Sequence, residues 1–155
     1  ILLMNTSFHI WKNNRSIYSK FLEHNSLEQL NKIPAGFNNN LIWNIGHVIV
    51  VQQRLVYGLS DLPLNVSDEL FQKYKPGTKP ESDETLETVE LFKELLISPI
   101  DQTIADFESG KFQNYNEYTT SKGFHLASVA DAITFNNYHE ALHLGTMVSL
   151  LKFTH

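Results

Sequence analysis

At 155 residues with 42% apolar content, the chain can fill one domain around a single core, which excludes wholesale disorder. Its net charge of −5 and pI near 5.8 leave no basic surplus to neutralise phosphates, so nucleic acid and anionic membranes are excluded as first-choice partners. The absence of cysteine removes disulfides and thiolate ligands, so any metal must be held by His, carboxylate, amide or water, and it fits a cytoplasmic protein.

The opening Ile1-Leu-Leu-Met4 is too short for a signal segment or a membrane span, and no later apolar run is long enough to cross a bilayer. A start at Ile1 rather than at methionine places the expected initiation site upstream. The first long helix is predicted over 5–23. Ile10, Ile17 and Phe21 form one apolar line and Trp11, Tyr18 and Leu22 the adjacent one. A short helix capped by Ser26 is expected over 27–32, broken by Pro34-Ala-Gly36. The second long helix should run from Asn39 or Asn40 to Tyr57, with Gly58 as its stop.

The stretch 60–82 holds three prolines and supports only a turn or two of helix, from the cap Ser67 to Tyr74. We read it as a crossover connection, with a lid over the pocket as the alternative. The third long helix starts near Asp83. Its stripe Leu86, Val89, Phe92, Leu96, Ile100, Ile104 and Phe107 advances by 3 or 4 residues at each step, with a kink or break expected at Pro99. Residues 108–125 are polar and irregular and can hold a short hairpin. The last helix is predicted over 128–152, with Ser128 and Asp131 at capping-box spacing. Four amphipathic helices with two long connections predict an all-α four-helix bundle.

Chemistry concentrates in the last helix. The stripe Val129, Ala132, Asn136, His139, His143, Thr146, Leu150 is apolar at its ends and polar in its middle. Burying four unpaired polar groups costs roughly 1–3 kcal/mol each, so they pair with one another or with water, a metal or a ligand. His139 and His143 stand at i and i+4 and project from one helix face. The second long helix repeats the pattern, with His47 among Gly46 and Val48 to Val51, Asn44 one turn before it and Arg54 two turns beyond. If these helices are neighbours, three imidazoles converge and leave coordination positions open, the arrangement of a reactive centre. The plain alternative is that His47 is a hydrogen-bonded core histidine and that the pair carries no metal. His9, His24 and His155 read as surface residues, with His125 held in reserve because it lies just before the last helix.

The run His139-Glu-Ala-Leu-His143 also spells HExxH, the zinc-protease signature. Residues 144–155 contain no Asp or Glu to serve as third ligand, and the extended form fails because Gly145 falls one residue early and Ser occupies 149. Glu140 points about 100° around the helix from His139, which suits a solvated or interhelical role.

The segments Leu41-Ile-Trp-Asn-Ile-Gly-His47-Val and Asp131-Ala-Ile-Thr-Phe-Asn-Asn-Tyr-His139-Glu-Ala-Leu-His143-Leu-Gly145, in this order and at this length, resemble the DinB-like superfamily of four-helix bundles. The resemblance covers nearly the whole chain. It implies a divalent metal, zinc, nickel, iron or manganese, bound by His47, His139 and His143, and it implies a homodimer. Some members of that superfamily transfer low-molecular-weight thiols such as bacillithiol or mycothiol, so a thiol transferase acting on a small molecule is the activity it suggests.

On that reading Asn44 and Asn136 would orient ligands by hydrogen bonds, and Arg54 would receive an anion or stand in a surface salt bridge. Trp43, Tyr57, Phe135 and Tyr138 would line an apolar pocket or simply fill the core. A metal-dependent hydrolase is the alternative chemistry. A non-catalytic bundle stapled by its metal, or an interaction protein, is the alternative class.

Overall fold

The computed structural model describes residues 2–154, so the expectation for His155 lies outside the described residues. Four long helices, α1 (Leu2–His24), α3 (Leu41–Val56), α5 (Leu86–Glu108) and α6 (Val129–Leu151), form the bundle. The short α2 (Leu27–Asn31) and α4 (Asp68–Tyr74), a 3-10 turn at Gly58–Ser60, and an antiparallel pair, β1 (Tyr118–Thr119) and β2 (His125–Leu126), fill the connections. The fold is all-α, as the pattern predicts, and among the described residues no helix is long and apolar enough to cross a membrane.

The helix starts follow local chemistry. Ser26, Asn40, Ser67, Thr85 and Ser128 each cap a helix with a side-chain oxygen facing a backbone N–H that has no intrahelical acceptor. At Ser26 the capping box is complete, because Gln29 Oε1 accepts from the Ser26 N–H at 2.9 Å. At α6, Asp131 accepts instead from the N–H of Ala127 and the Ser128 hydroxyl. Two expectations shift here. The left-handed residue after α3 is Asp61 (φ 57°), three residues beyond the expected stop at Gly58. Pro99 lies inside an unbroken α5, where Thr103 Oγ1 donates to its carbonyl at 2.7 Å.

Burial corrects which faces point inward. On α1, Trp11, Tyr18 and Leu22 are buried, whereas Ile10 and Ile17 are each 43% exposed. On α5, Val89, Phe92, Leu96 and Ile100 face the core and Leu86 lies outside it. On α6 the buried line is Ala132, Ile133, Asn136, Asn137, Glu140, Met147 and Leu150. The inward face is therefore rotated by about one residue from the expected stripe, leaving the histidine pair on its shoulder. Every residue of α3 except Arg54 is buried, so this helix is enclosed on all sides rather than amphipathic.

Candidate metal centre

Helices α3 and α6 pack against each other, and this brings three imidazoles together. Ring centroids lie 4.8 Å apart for His47 and His143, 5.3 Å for His47 and His139, and 4.6 Å for His139 and His143. One nitrogen from each ring falls within 4.8 Å of the other two. The i, i+4 step accounts for the α6 pair, and His47 faces it from α3 because Gly46 lets a second layer close over the helix.

That second layer is Tyr74, the last residue of α4. A Cβ at position 46 would stand 2.5 Å from Tyr74 Cδ1, so only glycine admits the ring. Tyr74 is 1% exposed, its hydroxyl donates to Glu84 Oε1 at 2.6 Å, and its carbonyl lies 2.8 Å from His47 Nδ1. A carbonyl can only accept, so His47 carries its proton on Nδ1 and presents Nε2 as a lone pair. The 60–82 connection thus folds back onto α3 and orients a site residue. Sequence offered no signal for Tyr74 beyond the glycine next to His47.

Asn44 does the same for His143. Its Nδ2 donates to the Asn40 carbonyl at 2.7 Å and to Asn39 Oδ1 at 3.1 Å, which leaves Oδ1 to accept from His143 Nδ1 at 2.8 Å. His143 therefore also offers Nε2. His139 differs, since its Nδ1 is buried without a partner. Trp43 stacks on His47, centroids 4.8 Å apart at 15°.

Burial, the largest influence on all three rings, favours the neutral form. It lowers the pKa of His47, and with repulsion from neighbouring histidines takes His139 and His143 down to about 3. The sign of the pH dependence follows. An unfolded histidine titrates near 6.5, so as pH falls below that value the unfolded chain takes up protons that the folded chain refuses. Stability of chelator-treated protein is expected to hold above about pH 6.5 and to fall below it, on the order of 1 kcal/mol per pH unit for each imidazole. Urea midpoints measured between about pH 8 and 5 read this, and a flat profile across that range contradicts it.

Neutral rings, two lone pairs fixed inward and one orphaned buried nitrogen fit a divalent cation. Two metal–nitrogen bonds of about 2.1 Å span at most about 4.2 Å, so modest ring rotation closes the separation. The family model of the DinB superfamily matches residues 10–147, a span that includes all three histidines. The chain belongs to the DinB superfamily. No curated protein matches it.

Other residues of this superfamily member depart from expectation. Asn136 makes its hydrogen bond to Glu140 rather than to a histidine: Nδ2 donates to Oε1 at 2.8 Å, and Oδ1 has no hydrogen-bond partner. Glu140 is fully buried and so not solvated, and apart from Asn136 of its own helix its side-chain partners come from α1. Trp11 Nε1 at 3.0 Å, Arg15 Nε at 2.9 Å and Arg15 Nη2 at 2.8 Å all meet Oε1, while Oε2 has no partner. Burial raises the Glu140 pKa, and the Arg15 guanidinium opposes that rise. Sequence reasoning missed Arg15, although it sits at helical spacing between Trp11 and Tyr18 and interrupts their apolar line as Glu140 interrupts that of α6.

Arg54 is half-buried with its guanidinium over the Tyr118 ring, 4.9 Å from the centroid. His125 lies on the hairpin between Glu117 and Thr119, apart from the cluster. Tyr57 is core, its hydroxyl donating to Asp106 Oδ2 at 2.7 Å. Phe135 and Tyr138 join Phe124 of the hairpin in an aromatic group beside His139.

Proposed function

We propose that the protein is a metal-dependent transferase that joins a low-molecular-weight thiol to a small electrophilic molecule, with His47, His139 and His143 holding a divalent cation. The observation that carries this reading is the convergence of three neutral imidazoles, two of them locked in the tautomer that presents Nε2. A bound divalent cation supplies Lewis acidity that lowers the pKa of a thiol, so that the nucleophile exists at neutral pH. The chain's own residues do the rest. The Tyr74 carbonyl and Asn44 Oδ1 hold two rings in register, and burial keeps protons off all three.

The surroundings favour a thiol over water as nucleophile. Glu140, which in an HExxH hydrolase would activate water, is fully buried and held through Oε1 by Arg15, Trp11 and Asn136. Among the described residues the group of side chains that could hold an ion contains three imidazoles and no carboxylate. Water needs such a base far more than a thiol does, because a free thiol already ionises near 8.5. A homodimer belongs to the same reading, and the exposed Tyr138, Leu142 and Val148 of α6 offer an uncharged face for it.

The test begins with His143→Ala. Metal content of tag-free protein is expected to drop from near one equivalent to a small fraction, and undiminished stoichiometry removes the proposed ligand set. Thiol conjugation to electrophilic substrates, measured with and without chelator, then separates a transferase from a bundle merely stapled by its metal. Under the staple reading, chelation lowers the melting temperature while no turnover is seen at any metal loading.

A further inference from the structure

The two rings with a fixed proton, His47 and His143, stand on supports that belong to one hydrogen-bond network. On the His47 side the Tyr74 hydroxyl donates to Glu84 Oε1 at 2.6 Å. That carboxylate is itself held by Lys73 Nζ at 2.6 Å and by the Thr88 hydroxyl, 3.1 Å from Oε2. The Glu84 backbone is gripped by a single side chain, Asn31 at the end of α2. The Glu84 N–H donates to Asn31 Oδ1 at 2.7 Å, and Asn31 Nδ2 donates to the Glu84 carbonyl at 3.0 Å. On the His143 side Asn40 Nδ2 donates to the Asn31 carbonyl at 2.9 Å, and the Asn40 carbonyl accepts from Asn44, which holds the ring. The chain of bonds runs unbroken from His47 through Asn31 to His143. Its ends meet at the metal centre, 4.8 Å apart between ring centroids.

The amides in this chain have no freedom to turn. Asn31, Asn40 and Asn44 are 8%, 2% and 0% exposed. Asn31 uses both Nδ2 hydrogens, on the carbonyls of Glu84 and Leu27, and Asn44 uses both of its own, on Asn40 and Asn39. Asn40 caps α3 with Oδ1 and reaches Asn31 with Nδ2. Flipping any of them would set donor against donor away from solvent, which costs the bonds and leaves buried groups unsatisfied. His139 stands outside the chain, because its Nδ1 has no hydrogen-bond partner.

We propose that Asn31 and Asn40, which reach the rings only through other residues, are positioning residues of the metal centre. They tie the supports of His47 and His143 into one closed frame, so these two rings form a preset pair and His139 alone adapts to the cation. Ligands held in register beforehand lose less freedom on binding, so the frame raises metal affinity. The inference rests on the three-histidine ligand set and not on the transferase activity.

Two substitutions test it. Asn40→Ser separates the frame from the helix start, because serine caps about as well as asparagine but has no Nδ2 to reach Asn31. Asn31→Ala releases the grip on Glu84. In chelator-treated protein reloaded with cobalt(II), each variant should bind the ion about tenfold more weakly and with altered visible absorption, the lower end of the effect of removing a group that supports a ligand. The double variant should lose less than the product of the two single losses, since both cut the same frame. Tyr57→Phe is the control. It removes buried hydrogen bonds with Asp106 and Thr103 in a separate core cluster, so it should lower the urea midpoint and leave cobalt affinity and absorption unmoved.

Imidazole nitrogen spectra of chelator-treated protein read the frame without any metal. At about pH 8, where histidine is neutral, both His47 and His143 of the parent should show one tautomer, with the proton on Nδ1. His47 in Asn31→Ala and His143 in Asn40→Ser should become mixtures. Cobalt affinity unchanged in both variants, or lowered as much by Tyr57→Phe, overturns the proposal. A parent that takes up no cobalt removes the ligand set instead. The tautomers then decide the frame alone, and two rings still locked in the variants overturn it.

Discussion

Replacing Glu140 with alanine is expected to lower the unfolding free energy by about 3–5 kcal/mol, the scale for breaking a buried ion pair from one side. Arg15, 1% exposed, would keep a full positive charge inside the bundle with only the Val48 carbonyl, 3.4 Å from Nη2, still in reach. Trp11 Nε1 and Asn136 Nδ2 would lose their acceptor in the same step. Arg15→Met combined with Glu140→Leu removes both charges and should recover most of the loss. Denaturant unfolding of Arg15→Met, of Glu140→Leu and of the double variant measures the coupling. Additive losses would mean that the pair contributes nothing as a pair.

Gly46→Ala should damage the metal centre as well as the fold. The new methyl would lie 2.5–2.7 Å from three atoms of the Tyr74 ring, which cannot retreat without giving up its bonds to Glu84 and His47. Overpacking of this kind costs about 1–3 kcal/mol. Disturbing a hydrogen bond that orients a ligand costs about 10–100-fold in metal affinity. Gly145→Ala is the internal control. That glycine lies within α6 with nothing inside 4 Å of its Cβ position, so alanine should stabilise the helix by about 0.5–1 kcal/mol. Unfolding curves and metal titrations of both variants check the contrast, and a Gly46→Ala protein that binds metal as tightly as the parent contradicts the role given to Tyr74.

Much of the architecture was legible because its signals are local. Caps at Ser26, Asn40, Ser67 and Ser128 act within three residues, and the helix starts they mark agree with the structure to within a residue or two. The i, i+4 spacing of His139 and His143 likewise places both rings on one face whatever surrounds them. The choice of inward face was less legible. Ile10 and Ile17 fit an apolar stripe as well as Trp11 and Tyr18 do, and only the packing of α5 and α6 against α1 selects the latter. Glu140 shows the same limit, since a carboxylate on a helix reads as solvated until a buried guanidinium from α1 is found beside it.

From the residues alone followed the helix count, the caps, the family resemblance and the pairing of two imidazoles, because each depends on contacts within one or two turns. The packing of distant segments settled the remainder: Tyr74 closing over Gly46, Asn44 selecting the tautomer of His143, Arg15 claiming Glu140. Those contacts join residues 28, 99 and 125 positions apart, and no local pattern encodes them because the energies that choose them exist only once the chain has excluded water from between its helices.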